Sequence, residues 1–122
     1  TAGITAIAAL VLSTFISNVI LKNAVMRPRP FEVLPQIIPL ITHASGYSFP
    51  SGHTTAAFAC AFVYYQLLPK FFGLPIMLLA VMVAFSRLYL GVHYPLDVLG
   101  GIVTAWFGSM LAIKSLHRFK QN

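Results

Sequence analysis

Charge is what this chain has least of. Asp, Glu, Lys and Arg make up 8% of its 122 residues, against about 25% in soluble domains. The acids number two, Glu32 and Asp97. A shortage that deep excludes an ordinary solvated surface. Cysteine is almost missing as well. Cys60 stands alone, so no intrachain disulfide exists. Its setting between Ala59 and Ala61 reads as a small packed or lipid-facing residue rather than a reactive thiol. Internal repeats and low-complexity tracts are absent. No initiator Met and no charged leader precede the first apolar run, so the sequence does not open on a cleavable signal peptide. It opens inside a hydrophobic run, as a fragment of a longer protein does.

What is present is apolar. The chain is 58% hydrophobic with a mean hydropathy of +0.84. Ten Phe, five Tyr and one Trp suit a lipid-facing surface with interfacial anchors. The length holds one domain, residues 1–122,. A net charge of +6 raises nucleic acid as a partner, but no basic stripe and no nucleic-acid motif accompany it. Lys114, His117, Arg118 and Lys120 instead follow an apolar run, as in a cytoplasmic tail.

The predicted fold is all-α, an integral membrane helical bundle with four spans. These are Thr1–Leu21, Ser51 to about Leu68, Pro75 to about Leu90, and Pro95 to about Ile113. A crossing helix takes about 20 apolar residues, within a range of about 17–25. Helix is preferred over strand because an open sheet edge cannot be satisfied in lipid. Pro69 and Gly73-Leu74-Pro75 predict a tight loop between spans two and three, and Pro95 suits the first helical position of span four. The stretch from Phe31 to Phe49 contains Pro35, Pro39 and several apolar residues. It is expected to lie on the membrane surface without crossing.

Three polar segments interrupt the apolar chain: Lys22–Pro30, Pro50–His53 and Ser86–Asp97. Ionisable groups near hydrocarbon are costly and usually functional. Parity brings the three together. Span one ends at Lys22 and span two starts at Ser51 on the same side; span three ends near Arg87 and span four starts near Pro95 on that side again. Ser51 is a good helix cap, and Gly52 lets a ligand approach the backbone. The amides behind them form an anion site. Taken alone, Ser51 reads as a plain cap, Arg87 as a complement to a helix C-terminus and Asp97 as a complement to a helix N-terminus. His53, in the first turn of a membrane helix, is an odd packing choice and a good general acid. His93, with Asp97 four residues on, is harder to dismiss. A carboxylate on one ring nitrogen leaves the other free to attack. Lys22 and Arg29 supply the point charge and the fork that phosphates take. Arg27 reads as an interfacial anchor, and His43 and His117 as solvated residues. Two His and one Asp make a metal conceivable, but the cations around them favour an anion. No metal and no cofactor is expected.

The pattern is identified as resembling the type 2 phosphatidic acid phosphatase superfamily of membrane lipid phosphatases. That family's three motifs read K-x6-R-P, P-S-G-H and S-R-x5-H-x3-D. Here they are Lys22 to Arg29-Pro30, Pro50-Ser51-Gly52-His53, and Ser86-Arg87 to His93 and Asp97. All three match in order and spacing; the motif spacing selects Arg29 over the neighbouring Arg27. The resemblance implies that His93 is a nucleophile forming a phosphohistidine and that Asp97 orients it. It implies that His53 protonates the leaving oxygen and then activates water. Lys22, Arg29, Ser51, Gly52 and Arg87 would hold the phosphate, without a metal. It also implies six spans in whole members, two of them ahead of the first span seen here.

The function expected is hydrolysis of a lipid phosphate or diphosphate in the cell membrane, with the site on the extracytoplasmic face and the C-terminal tail in the cytoplasm. Undecaprenyl diphosphate is favoured as substrate, phosphatidylglycerophosphate or phosphatidic acid next. The alternative is a lipid-phosphate binding or transport protein without catalysis. A purely structural membrane protein is a third reading.

Overall fold

The computed structural model describes residues 2–26, 28–29, 49–91 and 93–121. The surface stretch expected over residues 31–48, with Glu32 and His43, lies outside the described residues, as does Arg27. The described residues hold helices and no strand. These are α1 (Ala2–Phe15), a π-helical stretch (Ile16–Leu21), α2 (Lys22–Val25), α3 (Gly52–Leu67), α4 (Lys70–Tyr89) and α5 (Pro95–Gln121). The chain is an all-α membrane bundle. Three helical stretches among the described residues are long and apolar enough to cross a bilayer: Ala2–Val25, Lys70–Tyr89 and Pro95–Arg118. The remaining expected span, the second, is α3, with 16 residues. At 1.5 Å per residue it measures about 24 Å, short of the roughly 30 Å hydrocarbon layer.

Its sequence makes α3 the hub. It packs against α1, α4 and α5, whereas α4 and α5 barely meet. The buried core is mostly alanine, including Ala6, Ala9, Ala59, Ala61, Ala105 and Ala112. Large side chains such as Leu78, Leu79, Met82 and Phe85 point outward. In lipid, apolar bulk gains little by hiding, and helices associate where small residues let backbones come close. Small-inside, large-outside is the pattern that follows.

Three boundaries differ from expectation. The Gly73-Leu74-Pro75 segment is not a loop but part of α4, which starts at Lys70 behind the cap residue Pro69. The turn closes earlier, with Phe72 and Gly73 donating to the Pro69 carbonyl at 2.9 and 3.0 Å. Gly73 serves packing instead. A Cβ there would come 2.9 Å from Tyr65 Cα, so glycine permits α4 to lie tightly on the end of α3. The first span does not stop at Leu21; helix continues through Val25. It ends at Met26, left-handed at φ 51° and donating to the Lys22 carbonyl. The last helix begins at Pro95, as expected, but runs well past Ile113.

Candidate active site

The third motif builds the floor. Asp97 sits in the first turn of α5, fully buried, and its Oδ2 accepts from the Tyr94 amide at 2.7 Å. That bond, together with Asp97 N donating to the Tyr94 carbonyl at 3.0 Å, fixes the turn that carries His93. The imidazole is 3% exposed. Its Nδ1 lies 3.7 Å from Asp97 Oδ2, ion-pair range and longer than a hydrogen bond. Its Nε2 lies 3.3 Å from Arg29 Nη1. A guanidinium only donates, so Nε2 presents its lone pair and Nδ1, facing the carboxylate, carries the proton. The tautomer is assigned from these partners.

The second motif docks onto this floor through the backbone. Ser51 N donates to the Asp97 carbonyl at 3.0 Å, tying the start of α3 to the start of α5. Ser51 is the cap expected of it: extended backbone, with Oγ accepting from Thr54 N at 3.3 Å. Its own O–H stays available to donate. Thr55 Oγ1 donates to the Ser51 carbonyl at 2.7 Å. The first amides of α3 therefore converge on the same corner as His93. His53, in that first turn, is exposed, and its Nδ1 lies 3.5 Å from Arg87 Nη1. Arg87 comes from the last turn of α4. Ser86 beside it spends its hydroxyl on the Val83 carbonyl.

The first motif closes the site from above. Arg29 is buried at 6% exposure against His93. Lys22 is half-buried and interacts electrostatically with Arg29 and Asp97. His53 senses Arg87, His93, Lys22 and Arg29 together. The π-helical stretch aims Lys22. Its backbone N–H bonds the Ser17 carbonyl, five residues back. In a regular α-helix a five-residue step ends about 140° away. The wider turn returns Lys22 to the buried face of Ser17. Three buried polar atoms in these elements, Ser17 Oγ, Thr54 Oγ1 and Arg87 Nε, make no hydrogen bond among the described residues.

All eight residues singled out in the sequence therefore lie at one end of the bundle: Lys22, Arg29, Ser51, Gly52, His53, Arg87, His93 and Asp97. Comparison with known proteins identifies the family. The PAP2 superfamily matches over residues 2–121. The chain belongs to the PAP2 superfamily. Among PAP2-related proteins, undecaprenyl-diphosphatase BcrC of Bacillus subtilis (strain 168) is 42% identical over 104 residues, 85% of this chain and 50% of that protein. Phosphatidylglycerophosphatase B of the same organism is 40% identical over 92 residues, 66% of this chain and 44% of that protein. Among solved structures, LpxE of Aquifex aeolicus superposes with a TM-score of 0.83 at 31% identity, covering 90% of this chain and 66% of that one. The PAP2-type phosphatidylglycerolphosphate phosphatase of Bacillus subtilis gives a TM-score of 0.76 at 29% identity, covering 95% and 59%. The chain spans about half the length of the curated relatives it matches.

Sequence reasoning missed two PAP2 site supports. One is the Tyr94 amide, which no side-chain pattern reveals. The other is Gly101, where a Cβ would meet the Ser51 carbonyl at 2.9 Å and Thr55 Oγ1 at 3.1 Å. A signal existed for it: Gly101 stands four residues after Asp97, on the same helix face.

Proposed function

We propose that this protein is a membrane lipid phosphatase that transfers a phosphoryl group to His93 and then to water, with a lipid diphosphate as its favoured substrate. The observation that carries the reading is the His93 imidazole, buried between a carboxylate at Nδ1 and a guanidinium at Nε2. Burial without a purpose would strand a polar ring; between these partners it is an oriented nucleophile.

In the first step Nε2 attacks phosphorus, a P–N bond forms and the bond to the lipid-bearing oxygen breaks. His53, as the imidazolium with a proton on each ring nitrogen, gives the proton on Nε2 to the leaving oxygen and is left neutral. In the second step His53 takes a proton from water, whose oxygen attacks phosphorus. The P–N bond breaks, inorganic phosphate leaves and His93 is restored. Lys22, Arg29, Arg87, the Ser51 hydroxyl and the amides of Gly52 and His53 would stabilise the charge on the transferring group. The unpaired Arg87 Nε and Thr54 Oγ1 are hydrogen-bonding capacity in the same corner. The charge these residues supply meets the electrostatic demand of the reaction, so the reading assigns no role to a metal or cofactor.

Substrate follows the relatives: one is named an undecaprenyl-diphosphatase and another a phosphatidylglycerophosphatase. The same reading puts the site end on the extracytoplasmic face. Lys70, Lys114 and Arg118 occupy the other end of their helices, where cations favour the cytoplasm. The test is phosphate release by the purified full-length protein from undecaprenyl diphosphate, phosphatidylglycerophosphate and phosphatidic acid. Turnover is expected, with the highest kcat/KM for the diphosphate. Tight binding of all three without turnover would leave a lipid-phosphate binding protein in its place.

A further inference from the structure

Asn18 stands out among the polar side chains that the first span leaves off its buried face. Thr14 and Asn23 fold back onto their own helix: Thr14 Oγ1 donates to the Leu10 carbonyl at 2.7 Å and Asn23 Nδ2 to the Val19 carbonyl at 2.8 Å. That is the usual way a membrane helix hides a small polar group. Asn18 does not. Its side chain is exposed and reaches across to the start of α3, with Oδ1 3.7 Å from where a Cβ on Gly52 would stand. The amide therefore lies beside the glycine that leaves the phosphate corner open. An exposed carboxamide inside an apolar span is costly unless it has work to do.

Its position says what that work is. Asn18 directly follows Ser17, the residue Lys22 stands over, so Asn18 and Lys22 flank the same line along the helix, with Asn18 about one turn further into the membrane. A lipid enters with its tail on the membrane side and its terminal phosphate at His93. In a diphosphate, the second phosphate joins the reacting one to the tail. That group falls on the membrane side of Lys22, within reach of the Asn18 carboxamide; the end nearest Gly52 is Oδ1, and a half-turn of the amide brings its two N–H donors there,.

We propose that Asn18 is a specificity-determining residue whose carboxamide donates to the tail-side phosphate of a lipid diphosphate, favouring diphosphates over monoesters. This rests on the phosphatase reading above. In the reaction, that phosphate departs with the lipid and gains charge as the P–O bond breaks, so the donor aids both binding and departure.

The experiment compares farnesyl diphosphate with farnesyl monophosphate, which share a tail. The kcat/KM of each is measured for the wild-type full-length protein and for Asn18→Leu, Asn18→Ala and Asn18→Gln. Loss of one hydrogen bond to a charged group corresponds to about a 10- to 100-fold effect. The diphosphate-to-monoester ratio is expected to fall by that factor in Asn18→Leu and Asn18→Ala. Asn18→Gln, which keeps the donor on a longer stem, is expected to retain an intermediate ratio. A ratio within threefold of wild type in both Leu and Ala variants, whether both substrates decline together or neither does, overturns the assignment. Wild-type protein that turns over neither substrate overturns the phosphatase reading itself, a separate outcome.

Discussion

The imidazole of His93 and the imidazole of His53 have similar chemistry and opposite settings, and the difference predicts how their variants fail. His93 is buried with both ring nitrogens engaged; His53 is exposed and touches Arg87 at the 3.5 Å limit. In the proposed mechanism His93 is the nucleophile, so His93→Ala is expected to abolish phosphate release and the acid-labile phosphoprotein trapped by rapid quenching of a 32P-labelled substrate. His53→Ala removes proton transfer, a loss of about 10²–10⁴-fold in kcat. It should still form phosphoprotein with a diphosphate, whose leaving phosphate needs little protonation, and should accumulate it, because activation of water suffers too. Wild-type phosphoprotein levels in His93→Ala would remove His93 from the nucleophile role. Asp97 adds a third case. Asp97→Asn keeps the shape but weakens the hold on Nδ1–H and on the Tyr94 amide. A fall of at least tenfold in kcat with KM within about threefold is expected, since the carboxylate acts through His93 rather than on substrate. Most of this was legible at the residue scale, because residue types in fixed spacing carry the chemistry. What was not legible were contacts made by backbone, such as the Ser51 amide on the Asp97 carbonyl, which any residue can make.

Elements, more than side chains, hold the site together, and two glycines separate their contributions. Gly101 lets α5 lie against the Ser51 turn; Gly73 lets α4 lie against the end of α3, at the far side of the bundle. In both places a Cβ would meet backbone at 2.9 Å, and backbone yields poorly. Each alanine substitution is expected to cost about 1–3 kcal/mol of stability by overpacking. The consequences for activity differ. Gly101→Ala pushes apart the two helix starts that align the anion corner with His93, so kcat should fall tenfold or more even at temperatures where the protein is folded. Gly73→Ala should lower the melting temperature by a similar amount and leave kcat near wild type at low temperature. Equal kcat values in the two variants would show that the start of α5 is not what aligns the site. Periodicity and hydropathy found the helices but misread Gly73-Leu74-Pro75 as a loop, because a glycine used for close approach and a glycine used for a turn look alike in sequence. The π-helical stretch at Ile16–Leu21 was illegible for a related reason. Its residues, ISNVIL, have no composition that distinguishes them from an α-helix, and only the position of Lys22 over Ser17 gives the wider turn a purpose.

At the scale of the whole molecule the bundle has two unlike ends. The site end carries Lys22, Arg29, Arg87 and the acid Asp97; the other carries Lys70, Lys114 and Arg118, with no acid among the described residues. The raw number of cations does not choose an orientation, but their engagement does. Arg29 and Arg87 are held against the two histidines, and Lys22 interacts with Arg29 and Asp97. Lys70 folds onto its own neighbourhood, with Nζ 2.7 Å from the Tyr65 carbonyl and over the Tyr65 ring, as an interfacial anchor does. Lys114 and Arg118 lie exposed near the end of α5. Cations free of a site are the ones left to bias topology, so the proposed orientation puts the C-terminal end of α5 in the cytoplasm and the site end outside. Cysteine mapping decides it. Cys60 is half-buried in α3 and is first replaced by alanine. Met26→Cys and Lys114→Cys are then introduced singly into the full-length protein in intact cells. A membrane-impermeant maleimide is expected to label the cysteine at position 26 without permeabilisation and the one at 114 only after it. The reverse pattern would put the site in the cytoplasm, and the enzyme would then meet lipid phosphates on the inner leaflet rather than the outer.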